Sequence, residues 1–342
     1  MVNLRDVARL AGVSPATASR ALAQPHLVSP ARRAEVERAA AALGYRHPSS
    51  GAPRGQWRSL GLVVPDMENP FFASIAKSVQ RRARSAGLSV LVADTEEDAA
   101  LETEPIARMR SLVDGIILCS PRMPEAALAE LAGEPEVLLV NRRSEHLRSV
   151  VIDNRDGVRQ ALAHLHALGH RKVAYVGGPP VSWSDAERRG GLEPDYHGIP
   201  DLATSVLGHF APTFAGGVAA ADLLLASGAS AALAYNDLMA FGLLERLRAR
   251  GVDVPGEVSV VGFDDVPAAS FVSPSLTTVA APLERLGRAA VDLLLDPEAL
   301  VESIEPEGAS DAPASRLLPV SLVVRASSGP ARAVSPSPSA TA

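Results

Sequence analysis

The sequence predicts an α/β protein in which a helix-turn-helix head precedes a body of two doubly wound subdomains with parallel sheets. Three short helical patterns occupy the first 47 residues, and two of them begin with Ser-Pro. From Leu60 onward, apolar strand patterns alternate with amphipathic helical patterns in two successive series. Runs of Val, Ile and Leu that are separated by helices are typical of parallel sheets covered on both faces.

The composition is that of a folded chain with aliphatic cores. Its 342 residues suit two or three domains, and 47% hydrophobic but only 4% aromatic residues predict cores of Ala, Val and Leu. The single cysteine, Cys119, excludes an internal disulfide, a thiolate zinc site and a C-x-x-C redox pair. Arg5, Asp6 and Arg9 interrupt the apolar run that a signal peptide needs, so we expect a cytoplasmic protein without a membrane span.

The charge is distributed unevenly along the chain. Residues 1–58 contain nine arginines and three acidic residues, so this segment has six excess positive charges within a chain of net charge −6. The rest of the chain therefore has twelve excess negative charges. A basic head on an acidic body favours contact between the head and a polyanion. A solvated positive face explains the charge alone equally well.

The head (1–47) is predicted to contain three helices. Gly12 is expected to end the first helix, because glycine accepts a positive φ at a helix C-terminus. Ser14 and Ser29 are expected to cap the second and third helices, each followed by a proline at the first helical position, Pro15 and Pro30. The first helix has an apolar face with i, i+3, i+4 spacing formed by Leu4, Val7, Ala8, Leu10 and Ala11.

Two short helices joined by a glycine-containing turn form a helix-turn-helix, whose second helix enters the major groove of DNA. Arg20 on this helix can donate two parallel hydrogen bonds to guanine, and Pro15 and Ala16 offer apolar surface to a thymine methyl group. Hydroxyl side chains suited to phosphate oxygens lie at Ser14, Thr17, Ser19 and Ser29. A three-helix cap or dimerisation module with a solvated Arg20 is the structural alternative.

A linker rich in Pro, Gly, Ser and Arg is expected over residues 48–59, followed by the body over residues 60–327. The first subdomain is predicted to span about 60–153 plus 280–315, and the second about 154–279 plus 316–327. The chain is thus expected to cross between them near Asp153, near Thr278 and before Leu317. We expect LLPVSLVVRAS to form one final strand, and 328–342 to be a disordered tail.

Polar residues follow several predicted strands, at the edge where doubly wound folds bind ligands. Their amides and carboxyl groups can hydrogen-bond a hydroxyl-rich small molecule. Alternatively, these Asp and Asn side chains only cap the helices that follow. The residues concerned are Pro65-Asp66, Asn141-Arg142, Gly177-Gly178-Pro179, Asn236-Asp237 and Asp264-Asp265.

No metal, cofactor or catalytic site is predicted. His164, His166 and His170 lie on a helix that ends at a turn, where structural or solvated roles are favoured over metal binding. The sequence has no G-x-G-x-x-G, Walker or G-x-S-x-G pattern. Asp264 and Asp265 are adjacent at a strand end and are expected to point in opposite directions, which argues against a shared proton.

These motifs carry a family resemblance. The stretch NLRDVARLAGVSPATASRAL, followed by VSPARRAEVERAAAALGY, is similar to the DNA-binding head of the lac repressor (LacI/GalR) family of bacterial transcription regulators. The resemblance implies that Leu4 and Arg5 begin the first helix against the DNA backbone. It also implies that Pro15 and Ala16 occupy specificity positions, that Arg20 reads a base, and that the head closes with Tyr45.

Further stretches look like successive landmarks of the same family, and they imply a body like that of periplasmic binding proteins. They are NPFF, DGIIL, ALGHRKVAYVGGPP, AYNDLMAFG and VSVVGFDDVPAASFVSPSLTTV. By this likeness the first subdomain contributes three residues to an effector pocket, and the second contributes five. The residues are Phe71, Phe72 and Asn141, and Trp183, Arg188, Phe210, Asn236 and Asp264.

The sequence departs from the family pattern at three places. No leucine lies between Tyr45 and Leu60, and Gly51 and Pro53 oppose the hinge helix that relatives form there. After Gly191 a helix must be short or broken, since the segment contains Pro194, Gly198 and Pro200. No leucine heptads follow the body, so the zipper that joins some relatives into tetramers is not expected.

We therefore predict a transcription regulator, most often a repressor in this family, that binds an operator as a homodimer under control of a sugar-like effector. A solute-binding protein of the periplasmic type is the alternative with the same body fold, against which the basic head argues. An enzyme on a doubly wound scaffold is the third hypothesis, and no positioned nucleophile, metal cluster or cofactor loop supports it.

Overall fold

A computed structural model describes residues 4–23, 28–43, 59–133, 135–296 and 314–332 of the chain. The predicted linker apart from Ser59, together with Tyr45, lies outside the described residues. The family-based prediction of a missing hinge helix therefore stays a prediction.

Strands form at the Val-, Ile- and Leu-rich runs, and the inner strands of each sheet are buried along most of their length because helices cover both faces of each sheet. The described residues form β1 (Ser59–Val64), β2 (Ser89–Asp94), β3 (Gly115–Cys119), β4 (Glu136–Val140), β5 (Ser149–Ile152), β6 (Lys172–Gly177), β7 (Ala203–His209), β8 (Ala231–Ala234), β9 (Ser259–Asp264), β10 (Thr277–Ala280), β11 (Ser315–Leu318) and β12 (Ser321–Val323).

Helices begin at polar caps, as for Asn69, Ser182 and Thr213, whose side chains accept a hydrogen bond from a backbone N–H of the first turn. None of the described helices has the length and apolar character needed to cross a membrane. The helices are α1 (Leu4–Leu10), α2 (Pro15–Ala23), α3 (Pro30–Leu43), α4 (Pro70–Ser85), α5 (Thr103–Met109), α6 (Glu125–Ala129), α7 (Asn154–Ala167), α8 (Trp183–Gly190), α9 (Pro194–His197), α10 (Phe214–Ser227), α11 (Asp237–Ala249) and α12 (Leu283–Leu295).

The head is a three-helix unit with a small aliphatic core, as predicted. Gly12 has φ +64°, and the Val13 N–H reaches back to the Ala8 carbonyl, which ends α1. Ser14 caps α2 by accepting from the Thr17 N–H at 3.1 Å. The buried side chains of the head core are Val7, Ala8, Ala18, Ala21, Val36, Ala39 and Ala40.

The body contains two six-stranded sheets. The first has the order β11-β5-β4-β3-β1-β2, and all of its pairings are parallel. The second has the order β12-β10-β9-β8-β6-β7, and β12 is antiparallel to β10. Two parallel-sheet subdomains are therefore present, as predicted.

The chain crosses between the sheets three times, and the third crossing differs from the prediction. The crossings lie at Asp153, at 281–282 and at 319–320. The stretch LLPVSLVVRAS does not form one strand: β11 pairs with β5 in the first sheet, and β12 pairs with β10 in the second. Pro319 lies between them, and its missing N–H and fixed φ suit a break between two strands.

The segment after Gly191 is broken as predicted. Helix α9 is a single turn that ends at Gly198, which has φ +63°. The chain then forms β7, which sequence analysis did not predict. Its residues are exposed or half-buried and none is fully buried, because β7 is an edge strand of the second sheet.

Residues 328–332, predicted as the start of a disordered tail, instead pack on the second subdomain. The Gly329 carbonyl accepts from His170 Nε2 at 3.1 Å, and the Ala331 N–H donates to the Leu168 carbonyl at 2.8 Å. His164 hydrogen-bonds the Ser328 hydroxyl at 2.9 Å. These backbone contacts, which composition does not reveal, also give His164 and His170 structural roles.

Helices α10 and α11 pack so closely that a side chain at Gly217 has no room. A Cβ atom there would overlap the backbone carbonyl of Met239. We expect Gly217→Ala to lower the free energy of unfolding by about 1–3 kcal/mol through overpacking. In an unobstructed helix the same change stabilises by about 1 kcal/mol, so urea denaturation can read the sign of the effect.

Gly190→Ala is the matched control on α8, because its Cβ would meet only the end of the flexible Arg155 side chain, at 3.1 Å. A Gly217→Ala protein as stable as the parent would contradict the tight packing of α10 on α11.

Candidate functional site

A pocket lies between the two subdomains at the carboxyl ends of their strands. It encloses about 280 Å³ of empty space, part of which is open to solvent. Both sheets contribute to it, because parallel strands present their carboxyl ends at one edge. The lining residues are Asn69, Phe71, Phe72, Glu97, Ser120, Arg122, Asn141, Arg188, Pro212, Tyr235, Asn236 and Asp264.

Six of the eight predicted effector residues line this pocket. The structure places the other two, Trp183 and Phe210, outside its lining. Trp183 is half-buried at the first position of α8, and Phe210 follows the edge strand β7 and packs against the body core. Pro212, two residues beyond Phe210, lines the pocket in its place.

Arg188 is the most deeply engaged side chain of the site, with 2% of its surface exposed. Its Nε donates to Asn154 Oδ1 at 2.9 Å, and Nη1 donates to the Tyr235 carbonyl. The guanidinium lies 3.6 Å from the centroid of the Phe263 ring, a cation–π contact. Its third nitrogen lies 3.7 Å from Asp264 Oδ1. Arg188 thus joins four segments of the second subdomain.

Two carboxyl groups are buried behind the pocket. Burial raises the pKa of Asp264 well above its ordinary value; Arg188 opposes this shift and Asp237 adds to it. Burial likewise raises the pKa of Asp237 to about 7, although Thr278 Oγ1 and the Val266 N–H donate to it at 2.6 and 2.8 Å. Asp265 turns the other way and accepts from Arg325 at 2.7 Å, as predicted for adjacent residues.

Asn141 presents an unpaired acceptor. Its Nδ2 donates to Ser120 Oγ at 3.1 Å and, across the cleft, to Ser184 Oγ at 3.0 Å. Its Oδ1 is buried and has no hydrogen-bond partner among the residues that the structure describes. A buried acceptor without a partner is costly, so a ligand that donates a hydrogen bond to it would be favoured.

Sequence reasoning missed an ion pair in the first subdomain. Arg122 donates to Glu97 in a bidentate arrangement, at 2.7 Å from Nε and 2.9 Å from Nη2. Burial by itself lowers the pKa of Arg122, but Tyr235 across the cleft and Glu97 raise it above the ordinary value of arginine. Both residues lie three positions beyond a strand end, so a search widened past the first two positions would have found them.

Asn69 and Asn236 line the pocket but serve as helix caps. Asn69 Oδ1 accepts from the Phe71 N–H at 3.0 Å. Asn236 Oδ1 accepts from the Met239 N–H at 2.9 Å, and its Nδ2 donates to the Pro212 carbonyl at 2.8 Å. For Asn236, the capping alternative stated for the strand-end residues describes what the Oδ1 atom does. Asn69, which was not among those residues, caps α4 in the same way. Phe71 and Phe72 add an apolar wall, with rings edge to face at 5.1 Å.

A second candidate surface lies on α2 of the head. Pro15, Ala16 and Arg20 are exposed, whereas Ala18 and Ala21 face the core. Ser29 is exposed, and Ser14 Oγ lies 2.8 Å from Thr17 Oγ1. Thr17 and Ser19 are partly exposed on the same helix.

Leu4 is half-buried against the head core, so it supports α1 from within. The Arg5 side chain and Tyr45 lie outside the described residues. Their DNA contacts, implied by the family resemblance, stay predictions.

Two families of known proteins match the chain. The family of bacterial regulatory proteins named lacI matches residues 3–49, and the periplasmic binding protein-like domain matches residues 162–328. The HTH-type transcriptional repressor CytR of Escherichia coli is 32% identical to this chain, over 95% of each protein.

Solved structures with this architecture include regulators. A complex of the transcriptional regulator CelR with cellobiose has a TM-score of 0.66 and 29% identity, over 96% of this chain and 100% of that chain. The lac repressor dimer bound to operator and an anti-inducer has a TM-score of 0.66 and 27% identity, over 96% and 99%.

The raised pKa of Asp237 predicts a pH dependence of stability. A folded-state pKa of about 7, above the roughly 3.9 of an unfolded aspartate, means that the folded protein binds this proton more tightly. The contribution of Asp237 to stability therefore falls as pH rises from about 4 to about 7. Relative to Asp237→Asn, the parent should lose on the order of 2 kcal/mol of unfolding free energy across that range.

Asp222→Asn provides a control in which the pH dependence of stability has the opposite sign. Hydrogen bonds from Arg250 and Arg246 lower the pKa of Asp222, so its contribution is lost as pH falls instead. Urea denaturation at several pH values measures both. The raised pKa of Asp237 would be contradicted if the free energies of unfolding of the parent and of Asp237→Asn changed in parallel between pH 4 and 7.

Proposed function

The chain belongs to the lacI family of bacterial transcription regulators, and from this premise we propose how its own residues perform that function. In this proposal, the protein is a cytoplasmic repressor that binds operator DNA as a homodimer through α2. A sugar-like effector in the cleft between the subdomains controls that binding. The head is proposed to span 1–47, with the effector-binding body beginning after the linker, near residue 60.

The exposed face of α2 is the observation that carries the DNA-binding proposal. Ala18 and Ala21 anchor the helix in the head core, which leaves Pro15, Ala16 and Arg20 on the outer face. A recognition helix reads bases with residues near its N-terminus, which is where these three lie. Arg20 is proposed to make a bidentate contact to guanine, and Pro15 and Ala16 to contact thymine methyl groups.

Phosphate contacts are proposed for the hydroxyl groups around the same helix. Ser14 and Thr17 lie at its N-terminus, where the helix dipole favours an anion. Ser19 and Ser29 extend the set toward α3. Such contacts fix the register of the head on DNA without reading the sequence.

A homodimer is proposed because one head reads few base pairs. A two-fold dimer doubles the contacts and the length of the site, which makes the operator a near-palindrome. The related lac repressor is described as a dimer bound to its operator.

The pocket supports a hydroxyl-rich effector. Its lining combines the Phe71 and Phe72 rings with buried amide, carboxyl and guanidinium groups, as suits the apolar and polar faces of a sugar. The related CelR is described in complex with cellobiose. Trp183 and Phe210 are proposed to contact an effector only if the cleft rearranges around it, since both lie outside the present lining.

Control of DNA binding is proposed to be a population shift. The effector touches both subdomains, so its affinity depends on the angle between them. It alters operator affinity only by the difference between its affinities for the two arrangements. The three crossings at Asp153, 281–282 and 319–320 are the segments about which the subdomains can rotate.

Arg20 gives a direct test of the DNA surface. In gel shifts on DNA upstream of the chain's own gene, Arg20→Ala should weaken operator binding by about 1–3 kcal/mol per head and reduce its preference over unrelated DNA. Arg38→Ala, an exposed arginine on α3, is the control and should keep the preference. Unchanged specificity in Arg20→Ala would refute the recognition-helix assignment.

Arg188 gives a test of the pocket. A thermal-shift screen of neutral sugars, polyols and nucleosides should yield at least one stabilising compound. Arg188→Lys should lose that shift, because an ammonium group cannot reproduce the planar fork of hydrogen bonds. Arg189→Lys is the neighbouring control, since Arg189 pairs with Asp185 outside the pocket lining. Equal shifts in both variants would place the ligand elsewhere.

A further inference from the structure

The arginine and acidic side chains of the pocket come from both subdomains and face one another. Among the described lining residues, two are arginines, Arg122 and Arg188, and two are acidic, Glu97 and Asp264. Each arginine faces one of the acidic residues, at hydrogen-bond distance for Arg122 and at 3.7 Å for Arg188. Neither guanidinium is an open binding site for an anion.

Arg188 is committed to the protein itself. Two of its nitrogens donate to Asn154 and to the Tyr235 carbonyl, and the rings of Phe263 and Tyr235 lie 3.6 and 4.8 Å from its central carbon. Only the nitrogen that faces Asp264 remains directed at the cleft. An anion would have to share this nitrogen with the Asp264 carboxyl group.

The Nε and Nη2 donors of Arg122 are both occupied by the Glu97 carboxylate. The pair is bidentate, and the Arg122 side chain is 2% exposed. Its backbone is held as well, since the buried Glu102 carboxylate accepts from the Arg122 and Met123 N–H groups at 2.5 and 2.9 Å. The guanidinium therefore cannot swing away from Glu97 to meet a phosphate or carboxylate.

Asn141 distinguishes ligands independently of these ion pairs. Its buried, unpaired Oδ1 needs a hydrogen-bond donor. A sugar hydroxyl can donate, whereas an ionised phosphate or carboxylate oxygen can only accept. The Glu97 carboxylate likewise has lone pairs that a hydroxyl can meet and that an anion would face with like charge.

We propose that the Glu97–Arg122 pair sets the charge selectivity of the pocket, which takes a neutral, hydroxyl-bearing ligand and rejects phosphorylated or carboxylated ones. This inference rests on the effector role proposed above and narrows its ligand class. Within this pair, Glu97 determines whether the pocket accepts an anion. Without its charge, the pocket would hold a buried, uncompensated Arg122 guanidinium, which is an anion site.

Inorganic phosphate is the probe, because it carries the negative charge that the pocket is proposed to reject and its use does not depend on knowing the sugar. Isothermal titration at constant ionic strength compares the parent with Glu97→Gln, which keeps the size of the side chain and one acceptor oxygen. The parent should show no saturable phosphate binding at millimolar concentrations. Glu97→Gln should bind phosphate at least tenfold more tightly, and adding Arg122→Leu should abolish that gain.

Glu136→Gln is the matched control. It removes an acidic partner from Arg148 in the same subdomain, outside the pocket lining. It should leave phosphate binding as in the parent. Glu97→Ser serves as a second charge-removing variant should Glu97→Gln fail to fold.

Matched ligand pairs extend the test to sugars. D-glucose is compared with glucose 6-phosphate and gluconate, and D-ribose with ribose 5-phosphate. Removing the Glu97 charge should shift the preference of each pair at least tenfold toward the anionic member.

Two results would overturn the proposal. One is saturable phosphate binding by the parent that Arg122→Leu abolishes. The other is a folded Glu97→Gln or Glu97→Ser protein that gains no phosphate affinity. Operator binding by the parent is measured separately by gel shift, so a protein that ignores DNA would refute the proposed function while the phosphate result still decides charge selectivity.

Discussion

The buried guanidinium of Arg188 is the contact on which the cleft depends. It joins the start of α7 through Asn154, the end of β8 through the Tyr235 carbonyl, and the end of β9 through Asp264. Removing one partner from a buried ion pair typically costs about 3–5 kcal/mol, because the other charge is left uncompensated. The second half of the pocket therefore has a shape that is set before any ligand arrives.

Both halves of the pocket have strained backbone at their strand ends. Ser120, Asn141 and Asp264 each lie at or directly after the end of a buried strand, and their φ angles are +45°, +56° and +120°. A non-glycine residue held in such a conformation costs about 1–3 kcal/mol, so the surrounding structure must enforce it. For Asn141 this is done by hydrogen bonds to Ser120 and Ser184. The strain turns polar side chains into the cleft on both subdomains.

Much of the fold follows from the sequence, because periodicity and capping are local properties. The head helices, the two series of buried strands and α12 all follow from apolar spacing. Edge strand β7 escaped prediction because half of its residues face solvent, so it lacks a continuous apolar run. The ordered segment 328–332 escaped because backbone hydrogen bonds to Leu168 and Ser259 hold it, and composition does not encode these.

The site was predictable to the extent that it follows strand ends. Asn141, Asn236 and Asp264 lie at or just past a strand end, which is the edge where doubly wound folds bind ligands. Glu97 and Arg122 meet only because two loops bend toward each other, with φ +60° at Glu97, and no spacing in the sequence encodes that meeting. Phe210 was placed in the pocket by resemblance, and the strand β7 before it directs it to the core instead.

A ligand in the cleft can influence the head only through the contacts that join the two subdomains. The head precedes β1 in the sequence, so it is joined along the chain to the first subdomain, whereas the described partners of Arg188 lie in the second. The described cross-cleft contacts include the hydrogen bond from Asn141 to Ser184 and the interaction of Arg122 with Tyr235. A ligand that replaces or bridges these contacts changes the relative stability of the two subdomain arrangements. Because Asn141 and Arg122 belong to the first subdomain, whose β1 follows the head in the sequence, the side chains proposed to select the ligand would also connect it to the DNA-binding end.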